Sequence, residues 1–220
     1  MSDHHFELVI LPQEYCQLLL AVIVSLILIH CGLNYYHLEI EEIPWLVQQL
    51  FHLDEENNIP TWYSSFLLLN CAFVLHVVSK KKMDHQAHWT FLSLGFLILA
   101  VDEVAGMHES LNTAIDINWA IPGAILVAVV GVLFIPFLLS LERRLAILFV
   151  ISGLLYVSGA LGVELLSEDM DEDSLEYGFA TAVEEGMEML GAWMFLRVNL
   201  FAMDKQRVEI EVTLPRKQAT

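Results

Sequence analysis

Long apolar runs alternate with short polar breaks along this chain, at the scale of a lipid bilayer. Six runs stand out, at 16–37, 62–79, 88–108, 119–140, 145–166 and 180–203. A hydrocarbon core of about 30 Å takes about 20 residues of helix to cross. Backbone polar groups cannot go unpaired in lipid, so each run must be helical. The pattern predicts an all-α, polytopic integral membrane bundle of six transmembrane helices, forming one domain over residues 1–220. A shorter amphipathic stretch, "IPWLVQQLFHL" at 43–53, predicts a helix lying on the membrane surface, with Pro44 in its first turn and Trp45 at headgroup depth. Residues 204–220 read as a polar tail.

The apolar pattern fails in a consistent way. The third run closes on "AVDEVAGMHES", where Asp102, Glu103, His108 and Glu109 arrive together after eleven uncharged residues. The fifth run ends with Glu164 in "LGVELL". The sixth reaches crossing length only by taking in "TAVEEGME", with Glu184, Glu185 and Glu188. Runs three and five travel opposite to run six, so all these acids are expected at one depth. An ionised carboxylate at the bilayer centre costs about 2.5–3.5 kcal/mol, and less toward the interface. Something positive is needed among them.

Charge sharpens this expectation. All ten Lys and Arg residues fall on one side of the six-span plan, in 80–82, 143–144 and from Arg197 onward. Eight acids share that side, a balance of +2, and the other twenty acids lie opposite with no Lys or Arg among them. The positive-inside rule places both termini in the cytoplasm and the acidic face outside, in a cell (inner or plasma) membrane. Arg197, inside its helix, is expected to snorkel inward. The overall balance of −18 and the lack of any basic patch exclude nucleic-acid binding. The start "MSDHHFELVILPQEY" has no basic region or cleavage site, so the first span is expected to act as its own insertion signal. Cys16, Cys31 and Cys71 lack metal-type spacing and read as structural thiols.

With no basic partner on the outer side, shared protons or a captured cation must neutralise the acids. Glu185 and Glu188 are three apart and Glu184 and Glu188 four apart, so either pair shares a helix face. The expected ligands are Glu103, His108, Glu109, Glu164, Glu185 and Glu188, around one or two divalent ions. Asp102 or Glu184 would serve as general base toward metal-bound water or as proton shuttle. A carboxylate-rich set suits iron, zinc or manganese. It resembles the di-iron and di-manganese helical bundles, although the Glu-x-x-His pairs of that plan are missing. In architecture alone the chain is also similar to multi-pass membrane metallohydrolases.

On a regular helix His108 points about 100° away from Glu109, unless Gly106 bends the chain. Asp54, Glu55 and Glu56 could fold over the site as a lid or form a solvated loop. Ser64 and Ser65 read as satisfying the start of their helix, and Ser174 as capping the last one. His30 reads as a hydrogen-bonded core residue. Gly153, Gly159 and Gly162 are expected to allow close helix packing.

Three functions fit these residues. The leading one is a metal-dependent hydrolase or di-metal oxidoreductase acting on a lipid or small amphiphile of the outer leaflet. The others are a divalent cation transporter, and a non-catalytic subunit with a structural metal. No P-loop, nucleophile elbow or dinucleotide fingerprint is present.

Overall fold

The computed structural model describes residues 11–81, 85–108, 110 and 118–205. Glu109 and the charged residues of both termini lie outside them. All regular structure among the described residues is helical. The helices are α1 (Pro12–Glu39), α2 (Trp45–Phe51), α3 (Ile59–Lys81), α4 (Gln86–Ala105), α5 (Ala120–Ser140), α6 (Arg143–Ser167) and α7 (Leu175–Lys205). Five of these, α1, α3, α4, α5 and α6, are long and apolar enough to cross a membrane. α7 has ample length at 31 residues, but the acids of its first half make it more polar. α2 is the surface helix expected from 43–53, trimmed at both ends, with Pro44 just before its first turn.

Side-chain hydrogen bonds to backbone carbonyls reveal how the helices run. The Ser65 hydroxyl donates to Ala100 O at 2.8 Å and Ser93 to Ala72 O at 2.8 Å, so α3 and α4 are antiparallel. The Trp193 indole donates to Cys16 O at 2.8 Å, while His30 meets Gly178 O at 3.0 Å, so α1 and α7 are antiparallel too. Phe149 stacks on Phe195 at 4.5 Å near one end of α6 and α7, and Gly159 lies against Glu184 near the other. The acid-bearing ends of α4, α6 and α7 therefore come to one pole. Lys80, Lys81, Arg143 and Arg144 sit at helix ends on the opposite pole. Between the poles lies an apolar core that includes Ile23, Leu67, Leu68, Leu75, Met189 and Leu196.

α6 and α7 meet at backbone contact through two glycines. A Cβ at Gly191 would lie 2.7 Å from the Tyr156 amide nitrogen, and one at Gly159 would lie 2.7 Å from Glu184 O. Of the three glycines expected to tighten this packing, only Gly159 does so, because Gly153 has open space and Gly162 touches nothing closer than Ser158 at 4.0 Å. Gly191→Leu is expected to destabilise the domain by about 1–3 kcal/mol through overpacking. Gly153→Leu should cost little, and thermal unfolding in detergent compares the two.

His30 joins three segments. The Leu53 N–H donates to its Nδ1 at 3.1 Å, so Nε2 carries the proton and donates to Gly178 O. Both ring nitrogens are satisfied within the core, as expected for this position. His30→Ala would leave a buried N–H and a buried carbonyl unpaired, and an unmade bond of this kind costs about 1–3 kcal/mol. A matching fall in unfolding stability is the expected result.

One local expectation changes. Ser65 does not serve the start of α3, because its hydroxyl is spent on α4, and the Ser64 hydroxyl lies within electrostatic reach of Glu103 on the same helix. Asn58 caps α3 instead, with its Oδ1 accepting from the Thr61 amide at 3.1 Å. Arg197 is exposed and lies over the rings of Trp193 at 5.7 Å and Phe201 at 5.0 Å, a cation–π arrangement that shields its charge. Ser174 does cap α7, accepting from the Tyr177 amide at 3.1 Å. The three cysteines are all unpaired.

Candidate functional site

α4 was expected to run through 108, but it stops at Ala105. Gly106 follows in the left-handed region, at φ 54°, which a residue with a Cβ adopts only with strain. A Cβ there would also strike the Glu56 carboxylate. The reversal turns the chain back on the helix end. His108 N–H then donates to Asp102 Oδ1 at 3.1 Å, and its ring Nδ1 lies 3.0 Å from Asp102 Oδ2. Two bonds to one carboxylate fix the imidazole. In the neutral tautomer that donates from Nδ1, the lone pair is on Nε2. Trp119 packs against the ring at 5.1 Å.

Glu103, about 100° further round α4, turns toward α3 and α7. Its carboxylate lies within electrostatic reach of the Ser64 hydroxyl and of Glu56, Glu185 and Glu188. On α7, Glu188 lies within electrostatic reach of the Tyr156 hydroxyl of α6. Glu184, Glu185 and Glu188 stand close enough to influence one another.

Glu164 reaches the cluster through an irregularity. Residues Ser158–Val163 of α6 form a π-helical segment just before it. The extra residue in that turn rotates all that follows by about 100° relative to an unbroken α-helix. Glu164 then lies within reach of Asp54, His108 and Glu184.

The segment between α2 and α3 lies over this group. The Tyr177 hydroxyl donates to Asp54 Oδ2 at 2.9 Å, tying the segment to α7. Glu56 covers Gly106, and its Oε1 is buried with no hydrogen-bond partner among the described residues. Glu55 turns away and accepts from Gln49 at 2.8 Å. Of the three acids considered as a lid, Asp54 and Glu56 reach the site and Glu55 does not.

The structure thus gathers Asp102, Glu103, His108, Glu164, Glu184, Glu185 and Glu188 at one pole. The carboxylates of Glu103, Glu185 and Glu188 are deep among protein atoms, although each residue as a whole is only partly buried. Together they make a buried polar cluster. Among the described residues the only ion pair is Asp102–His108, so no described Lys or Arg is paired with these acids. Among the same residues, no group of three or more His, Cys, Asp or Glu side chains is arranged to hold a metal ion. The carboxylates cluster without being drawn to coordination distance.

Tyr156 escaped the sequence reading. A phenol in the apolar run "LFVISGLLYVSGALGV" needs a partner for its hydroxyl, and that need was the available signal. The roles of Ser64 and Glu56 depend on contacts between helices distant in sequence and carry no local signature.

Comparison with curated proteins and with solved structures gives no match to this chain. Residues 18–203 do match a family model described as "Domain of unknown function (DUF8692)", and since these make up most of the chain, the protein belongs to that family.

Proposed function

We propose that the protein is a metal-dependent membrane enzyme whose site opens at the acidic pole. α7 supplies a sixth crossing beside the five more apolar helices. Both termini then lie on the side of Lys80, Lys81, Arg143 and Arg144, the cytoplasmic side of a cell membrane. One or two divalent ions, of iron, zinc or manganese, bind between α4, α6 and α7.

The observation that carries this reading is the Asp102–His108 pair. Histidines that ligate metals almost always donate their other ring N–H to a carboxylate or carbonyl, which sets tautomer and orientation. His108 has that geometry and sits among Glu103, Glu164 and Glu184. Glutamate side chains have three torsions, so Glu103, Glu164, Glu185 and Glu188 can close on an ion without backbone movement. Asp102 is then occupied in orienting His108, which leaves Glu184 as the base toward metal-bound water. Glu109 remains a further ligand candidate.

Such a centre supplies a hydroxide near neutral pH for hydrolysis, or a redox pair for oxidation. The substrate is a lipid or small amphiphile of the outer leaflet. Transport fits less well, because the apolar core of Leu67, Leu68, Leu75, Met189 and Leu196 closes the path beneath the cluster.

Full-length protein in vesicles made from a mixed lipid extract provides the test. New lipid products that vanish with chelator and return with one added metal are the expected result. Products insensitive to chelation, or metal flux across the vesicle without products, would overturn the reading.

A further inference from the structure

At the basic pole the chain passes from α5 to α6 through Leu141 and Glu142 alone. An open pocket of about 410 Å³ lies there, lined by Glu142, Arg143, Arg144, Ile147 and Leu148. Its size falls within the range of about 300–1,000 Å³ usual for small-molecule sites. The lining follows helical spacing. Arg143 and Ile147 are four apart, as are Arg144 and Leu148, so each arginine stands one turn above an apolar residue on the same face. That turn descends about 6 Å along α6. The three charged residues are exposed, and Ile147 is 48% exposed beneath them. Among the described residues the only ion pair is Asp102–His108, so neither arginine is paired with Glu142 or with any other described carboxylate. Glu142 occupies the N-cap position of α6, yet its side chain makes no capping hydrogen bond. The pocket thus offers two cations, one anion and an apolar floor.

We infer that this pocket holds the head of an aminophospholipid, with the phosphate on Arg143 and Arg144, the primary ammonium on Glu142, and the first carbons of the chains on Ile147 and Leu148. α6 is long and apolar enough to cross a membrane, and its first residues then stand at headgroup depth in the leaflet of the basic pole. Guanidinium groups bind phosphate oxygens through paired N–H donors, so the arginines alone would accept any phospholipid. Glu142 discriminates among them. A phosphoglycerol head brings no cation and leaves the carboxylate beside a second anion. A phosphocholine head brings a cation with no N–H to donate. A phosphoethanolamine head supplies both the anion for the arginines and an N–H donor for Glu142. The site lies at the pole opposite the acidic cluster and needs no metal, so it stands or falls separately from the proposed function.

Native mass spectrometry of the full-length protein in detergent provides the test, with equal amounts of phosphatidylethanolamine, phosphatidylglycerol and phosphatidylcholine of the same chains. Wild type should retain the ethanolamine lipid at least about fivefold better than either of the others. Arg143→Gln and Arg144→Gln should each lower that retention. Glu142→Gln should abolish the preference for ethanolamine over glycerol, with phosphatidylglycerol bound at least as well as by wild type. This variant keeps both arginines, so it reads the pocket even where an arginine variant fails to insert. Free glycerophosphoethanolamine at equal concentration should not displace the lipid, because it has no chains to lay on Ile147 and Leu148. Equal retention of the three lipids by wild type would overturn the inference, as would a preference that survives Glu142→Gln. Preference for phosphatidylglycerol would reduce the pocket to a basic patch, and displacement by the free head would remove the lipid as its ligand.

Discussion

Glu188→Ala lowers the affinity of the full-length protein for divalent metal by at least about 100-fold, beyond the range seen when a residue outside the ligand sphere is lost. Glu188 is placed for this effect. It lies within electrostatic reach of Glu103, Glu184 and the Tyr156 phenol of α6. Its removal takes away one ligand. The change in stability has a sign that separates metal binding from ordinary packing. Bound metal stabilises the folded state in proportion to the logarithm of its concentration, by about 2.7 kcal/mol at 100 times its dissociation constant. With metal in excess, wild type should unfold at higher temperature than Glu188→Gln. In chelator the order should reverse, since the amide relieves repulsion among Glu103, Glu184, Glu185 and Glu188. Thermal unfolding under the two conditions checks the crossing. A variant less stable than wild type in both conditions would mark Glu188 as a packing residue only.

Asp102→Asn should weaken metal affinity by about 10–100-fold while leaving the fold unchanged. Asparagine preserves the shape of the side chain and can still accept from the His108 amide. It loses the charge that fixes the ring tautomer, and its NH2 group can reverse the direction of the bond to Nδ1. The imidazole is then free to present a protonated Nε2, which cannot ligate a metal. Isothermal titration of the metal against both proteins reads the difference. Equal affinities would show that the Asp102–His108 bond serves only to end α4.

Much of the architecture was legible because lipid simplifies the problem. Apolar runs of crossing length, with Lys and Arg at alternate breaks, mark the helices to within a few residues. The separation of acids from bases also forecast which helix ends share a pole, and the contacts of α4, α6 and α7 agree. What escaped was local and directional. The sequence allows a bend at Gly106, but only the turn itself shows that His108 comes back to Asp102; its direction relative to Glu109 lies outside the described residues. Glu164 was anticipated at the right depth, but its direction depends on the π-helical segment at Ser158–Val163. Periodicity assumes a constant 3.6 residues per turn and cannot register such an insertion. Serine donors likewise give no hint of their acceptor. Ser65 has the same local surroundings as a helix-start serine, yet its partner lies 35 residues on, in α4.

The central claim is that acids from several helices are neutralised together by a captured divalent ion. Elemental analysis of full-length protein, extracted in mild detergent and purified without chelators, tests it most directly. The account predicts one or two equivalents of a single transition metal in wild type, reduced severalfold or more in His108→Ala and Glu188→Ala. Wild-type protein that is folded, monodisperse and free of stoichiometric metal, and that takes none up from micromolar solution, would contradict it.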